Sequence, residues 1–165
     1  MDSPKTCFLF GPSHLSTKKR LRLASALKEQ LLRMITQQNC RAFRLCDGGS
    51  FSRQAGYAVL NLKKEFPDLC LFFDLPAPPR FIFPRHPRLN ASLHALTPLL
   101  VCCDYYHYVS PVPYWGARKG AICHALSQSD LCLLYGGSDL CYPLRQFVSD
   151  ACFFSDRPVV PLLEK

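Results

Sequence analysis

A chain of 165 residues with 48% hydrophobic and 19% charged side chains has the length and apolar content of one domain with its own core, which excludes a disordered segment. Its longest apolar runs are strand-sized, which argues against a membrane-spanning helix and against a membrane partner. The formal charge of +8 points to an anionic partner, a nucleotide or a nucleic acid, or else to a solvated basic surface.

The opening Met1-Asp2-Ser3-Pro4-Lys5-Thr6 has no secretory leader pattern. The ten cysteines are scattered through apolar segments without Cys-x-x-Cys spacing. They read as buried thiols of a cytoplasmic protein rather than as a disulfide framework. Residues 6–10 read as a first strand, halted by Gly11-Pro12-Ser13. A helix follows with Ser16 or Thr17 as its N-cap and Ala24, Leu27, Leu31 and Met34 or Ile35 as its inner stripe. Residues 41–46 give a second strand, Asp47-Gly48-Gly49-Ser50 a tight turn, and Ala55, Val59, Leu62 and Phe66 the stripe of a second helix. The run at 69–75 is apolar throughout, as strands covered on both faces are.

Residues 76–98 are proline-rich and form the one long connection, with a short helix from Asn90; it is either a binding loop or an ordered link. Residues 99–106 read as a fourth strand, 131–135 as a fifth and 158–163 as a sixth, with helices near 115–128 and 140–153. Leu140, Leu144, Phe147 and Ala151 supply the stripe of the last helix. The alternation predicts a single α/β domain over 1–165, a Rossmann-like doubly wound, mostly parallel sheet with helices on both faces. A ligand of such a fold lies at the carboxyl edge of the strands.

Three glycine turns open at that edge: Gly11 to Ser13, Gly48-Gly49-Ser50 and Gly136-Gly137-Ser138. Glycine lets backbone approach a ligand closely, and the N–H groups of a following first helical turn suit an anion. These turns are either phosphate cradles or tight corners. Lys18, Lys19 and Arg20 crowd the start of the first helix, where the helix dipole disfavours cations and a bound phosphate relieves the conflict. Tyr105, Tyr106, Tyr108, Tyr114 and Trp115, with Arg118 and Lys119 nearby, suit stacking on a base or cover the sheet's open edge. His14, Asp47, Asp104, His107 and Asp139 are acids and bases at the expected edge, but no pair has a diagnostic spacing and no catalytic residue is assigned. Cys102, Cys103, Asp104 and His107, and Cys123 with His124, are metal-ligand types; a strand separates adjacent side chains, and neither a metal site nor a cofactor is expected.

The collinear order of Lys5–Ser16, Phe43–Pro78 and Ala117–Ala151 resembles the bacterial YpsA-like (DUF1273) proteins of the SLOG superfamily, which also holds the DNA-processing protein DprA and the cytokinin-activating LOG enzymes. Gly11-Pro12-Ser13 stands where that family has Gly-His-Arg, and Gly48 to Gln54 where it has Gly-x-Ala-x-Gly-x-Asp. Arg118-Lys119 is similar to its Arg-Asn pair and Gly136-Gly137-Ser138 to its Gly-Gly-Thr turn. The resemblance implies a SLOG fold binding a nucleotide or nucleotide-derived ligand through Gly11, Ser13, Gly48, Gly49, Ser50, Arg118, Lys119, Gly136, Gly137 and Ser138. It implies as alternatives a LOG-like N-glycosidase of nucleoside phosphates or a DprA-like binder of single-stranded nucleic acid. The LOG motif Pro-Gly-Gly-x-Gly-Thr-x-x-Glu is not present in the chain.

Overall fold

The structure, a computed structural model, describes residues 3–78, 87–112, 116–135 and 142–162. Strands and helices alternate in it: β1 (Lys5–Phe10), α1 (Thr17–Gln37), β2 (Cys40–Leu45), α2 (Ser50–Leu62), β3 (Cys70–Leu75), α3 (Pro87–Cys102), β4 (Tyr105–Tyr108), α4 (Ala117–Ser127), β5 (Leu131–Tyr135), α5 (Tyr142–Phe154) and β6 (Val159–Leu162). The strands form one six-stranded sheet in the order β4-β3-β2-β1-β5-β6, and every pairing is parallel. This is the expected Rossmann-like doubly wound fold. The order reverses direction between β1 and β5, so the switch-point crevice of such sheets opens between their carboxyl ends.

Each sheet face builds its own core. Cys7, Leu9, Phe43, Leu45, Leu71, Phe73 and Leu133 pack with Leu23, Leu27, Leu31, Met34 and Ile35 of α1, Phe51, Ala55, Val59 and Leu62 of α2, and Leu96 and Leu99 of α3. Phe8, Phe10, Cys46, Cys132 and Leu134 face the other way, onto Ala121, Ile122, Ala125 and Leu126 of α4 and Val148 and Cys152 of α5. The alternation of side chains along a strand sorts the two sets. Ser16 caps α1 by accepting the Lys19 N–H at 3.3 Å, as expected of a serine ahead of an amphipathic run. Asn39 and Asp156, which end the α1 and α5 excursions, take positive φ values of 54° and 53°. The inner stripe of α1 starts at Leu23 rather than at Ala24, which is exposed. In α5, Val148 and Cys152 are fully buried while Leu144, Phe147 and Ala151 pack more loosely at their side; Leu140 lies outside the described residues.

One element differs in kind from the sequence expectation. Residues 99–102 belong to α3, and the fourth strand is only Tyr105–Tyr108. The run Leu99-Leu100-Val101-Cys102-Cys103 is continuous in composition but one-sided in space: Leu99 is buried, whereas Val101 is 80% exposed. Leu99 reaches α2 where Gly56 leaves room, since a Cβ there would meet the Leu99 methyls at 3.2 and 3.3 Å. Pro98, which argues against a helix from sequence, sits inside α3.

The two edges of the sheet differ in charge, the amino edge holding acids beside Lys63, Lys64 and Arg157. Glu65 and Asp68 precede β3, Asp104 precedes β4, Asp130 precedes β5 and Asp156 precedes β6, so these acids line the amino edge. At the carboxyl edge begin the helices. None of the five described helices has an acid in its first turn, while Lys18, Lys19 and Arg20 open α1, Arg53 opens α2 and Arg118 and Lys119 open α4.

Candidate ligand site at the carboxyl edge of the sheet

The β1–α1 and β2–α2 loops meet at the carboxyl edge and are locked together. Ser50 N–H donates to the Ser13 carbonyl at 2.8 Å and Phe51 N–H to the Pro12 carbonyl at 3.4 Å. Asp47, nearly buried, accepts from the Gly49 N–H at 2.9 Å and from the Ser52 hydroxyl at 2.5 Å, and so ties the β2–α2 turn to the first turn of α2. Gly49 has ordinary backbone angles, and its need for hydrogen rather than a side chain is spatial: a Cβ would lie 2.6 Å from the Ser13 Cα. Gly11 has the same need, because a Cβ there would run into the Phe51 ring. Phe51 in turn stacks on Tyr135 at the end of β5, with centroids 5.8 Å apart and planes 4° from parallel.

Arg118, from the first turn of α4, closes the group. Its Nη2 donates to the Ser13 hydroxyl at 2.7 Å and to the Asp47 carboxylate at 3.1 Å. The side chain keeps 35% of its surface exposed, and its buried Nε has no acceptor among the described residues. A guanidinium held in one orientation with a third of its side chain open to solvent is suited to an oxyanion. Backbone donors elsewhere in this corner are already used: the N–H groups of Gly49, Ser50 and Phe51 go to Asp47, Ser13 and Pro12.

Gly11, Ser13, Gly48, Gly49, Ser50 and Arg118 therefore share one corner of the molecule. Lys119 does not point there; its Nζ lies over the Phe147 ring of α5, 5.4 Å from the centroid. Gly136, Gly137, Ser138, Asp139, Tyr114 and Trp115 lie outside the described residues. Two further expectations are displaced by the short fourth strand. Asp104 precedes β4 and so sits at the amino edge, where it accepts the Leu71 N–H at 2.8 Å and pairs with Lys63. Tyr105, Tyr106 and Tyr108 lie within β4 rather than at its exit.

A second polar group, which sequence reasoning did not assemble, lies under α4. Asp74, fully buried near the end of β3, accepts from Arg44 Nη1 of β2 at 3.0 and 2.9 Å and meets His124 Nδ1 of α4 at 2.9 Å. His107, register partner of Asp74 on β4, stacks on His124 with centroids 4.5 Å apart. The signal was present: Asp74 is the one charge in the apolar run of β3, and Arg44 has the parity of the same face. Burying a carboxylate demands partners, and a strand run broken by one acid announces them. Among the described residues no group of three or more His, Cys, Asp or Glu gathers as metal ligands would. The described cysteines are free thiols. No described helix is long and apolar enough to cross a membrane.

No family model matches the chain, and no curated protein sequence matches it. Among solved structures it is similar to DNA processing protein A from Helicobacter pylori, in work on that protein's single-stranded DNA binding mode. The TM-score is 0.59 at 10% identity, over 99% of this chain and 67% of that one. The likeness is one of fold.

Proposed function

We propose that the chain is a divergent YpsA-like binding protein of the SLOG type, one domain over 1–165 working in the cytoplasm, that holds the phosphate of a nucleotide or nucleotide-derived ligand at the carboxyl edge of its sheet. The observation that carries this reading is Arg118: it crosses from α4 to the β1 and β2 loops, is fixed by Ser13 and Asp47, and keeps 35% of its side chain exposed. The phosphate docks on the exposed part of that guanidinium, next to the first turn of α1. The test is calorimetric titration with a panel of nucleoside mono- and diphosphates. Saturable binding is expected, weakened about tenfold or more by Arg118→Gln, the worth of one or two charge-assisted hydrogen bonds. A panel with no saturable binder refutes the reading.

A second reading, a single-strand binder, is favoured by the fold likeness to a protein studied for its single-stranded DNA binding and by the basic carboxyl edge. Oligonucleotide affinity that collapses as salt rises supports it over a small-ligand pocket.

A further inference from the structure

The two outermost strands of the sheet are not alike. β4 and β6 each have one side on which no strand of the described residues pairs, and such a side is a row of N–H and C=O groups ready to bond another chain. Proteins guard it with proline, with charge or with a bulge. At β6 the guard is present. The Cys132 N–H bonds to the Pro158 carbonyl at 3.0 Å, so by alternation residues 158, 160 and 162 turn their main chain to β5 and Pro161 turns outward, where it has no N–H to offer. At β4 the guard is missing. Tyr105-Tyr106-His107-Tyr108-Val109-Ser110 contains no proline, lysine, arginine or acid, and the pairing with β3 runs without a register shift.

The flanks of β4 are apolar and open. Val101, at the end of α3, and Tyr105 and Tyr106 keep 80%, 54% and 47% of their surface exposed. Neither tyrosine is loose. Tyr105 leans on Phe72 with centroids 6.2 Å apart, and Tyr106 on Tyr108 at 5.4 Å. Successive side chains of a strand point to opposite faces, so one held ring stands on each face of the sheet beside the open edge. Rings held in this way lose little freedom when a partner covers them.

The occupant follows from the asymmetry of the edges. A flexible peptide would have to be ordered along a strand of only four residues, and so few ladder bonds do not offset that loss of entropy. A second copy arrives already folded. Because β6 is blocked, the strand edge that β4 can meet on another copy is β4 again, and two identical edges meet antiparallel about a two-fold axis. Such a contact closes on itself, whereas β4 against β6 would run on as a filament. No lysine, arginine or carboxylate stands within the strand to oppose its like across the axis, and Asp104 just before it is paired with Lys63.

We propose that the chain forms a two-fold dimer through its β4 edges, which joins two six-stranded sheets into one and covers Val101, Tyr105 and Tyr106 of both copies. The interface is small. A four-residue ladder and three exposed apolar side chains fall at the low end of specific interfaces, so the Kd is on the order of 10 µM.

Sedimentation velocity of the full chain from about 1 to 500 µM, a range that brackets this Kd, is the test. The mass should climb from 18.7 kDa toward twice that value and no further. Tyr106→Lys places a charge beside the axis on each copy and should raise the Kd about tenfold or more. Val159→Lys, the matching change at β6, should leave it unmoved. If either variant fails to fold, hydrogen exchange of the unmodified protein decides: amides of residues 105–108 should exchange more slowly at high concentration than at low, and those of β6 at the same rate. A chain that stays monomeric over the whole range overturns the proposal and leaves the edge to a strand of another protein. A dimer that survives Tyr106→Lys overturns it, as does a mass that grows past the dimer or β4 exchange that ignores concentration.

Discussion

Gly49 and Asp47 show how single residues set the geometry of the carboxyl corner. The Ser13 Cα stands 2.6 Å from where a Gly49 Cβ would be, so the β1 and β2 loops interlock only with glycine there. Gly49→Ala should lower stability by about 1–3 kcal/mol, the range for overpacking a closed site. Urea melts of the variant check the magnitude, and a cost near zero would mean that the loops can part freely. Asp47 presents a different balance. It is the acid that neutralises Arg118, holds the Gly49 N–H and binds Ser52, so Asp47→Ala should cost about 2–3 kcal/mol, as expected where hydrogen bonds to a charged group are lost. The same change frees the Nη2 of Arg118. A rise in anion affinity alongside the loss of stability would mark Asp47 as an internal stand-in for the ligand.

At the scale of elements, much of the fold is legible in the sequence because hydrophobic periodicity and strand alternation report burial directly. The strand at 131–135 matches residue for residue, and α1 and α2 are placed by their stripes. Leu27→Ala in the α1 stripe should cost about 2–5 kcal/mol, whereas Leu21→Ala, at a site 73% exposed, should stay within about 0.5 kcal/mol. Denaturant melts of the two variants make the comparison. The third helix is illegible for a physical reason: its apolar run is one-sided only in space, and Pro98 carries a signal against helix that tertiary packing overrides. Polar clusters are illegible for another. Asp74, Arg44, His107 and His124 come from β3, β2, β4 and α4, and only the strand order brings them together. The strand starts add a prediction in pH. Burial alone would raise the Asp104 carboxyl, but the hydrogen bonds from Lys63 and the Leu71 N–H and the Lys63 charge outweigh it and hold the group below the ordinary carboxylate range. Its ionised form therefore stabilises the fold above the ordinary aspartate range near 4, and that contribution disappears as pH falls through the lowered value. Asp104→Asn should be less stable than the unmodified chain at pH 7, with the gap narrowing as pH falls below about 4; a gap unchanged in acid would assign the effect to packing instead of charge.

Among the described residues the carboxyl edge is basic while the amino edge is mixed, and the bias follows from a parallel sheet. In a parallel sheet the loops before strands share one edge and the helix starts after strands the other, so a bias in the described helix starts becomes a basic edge. Here the amino edge receives Glu65, Asp68, Asp104, Asp130 and Asp156, several of them tied to strand starts: Asp130 accepts the Thr6 N–H at 2.7 Å, and Asp68 pairs with Arg41 at 2.8 Å. The carboxyl edge receives Lys18, Arg20, Arg53 and Arg118 beside helix N-termini, whose dipoles add to the same sign. An anion approaching from solution is steered to the edge where the Arg118 corner lies, and the steering weakens as salt screens it. The prediction separates position from net charge. Lys18→Gln with Arg53→Gln removes two positive charges at the carboxyl edge, and Lys63→Gln with Lys64→Gln removes two near the amino edge, so both double variants carry the same net charge. Fluorescence anisotropy of a short single-stranded oligonucleotide, repeated across salt concentrations, should show a shallower salt slope for the first pair, by about one unit or more, and little change for the second. Equal slopes in the two variants would mean that the partner responds to total charge alone, and the carboxyl edge would lose its claim to steer the ligand.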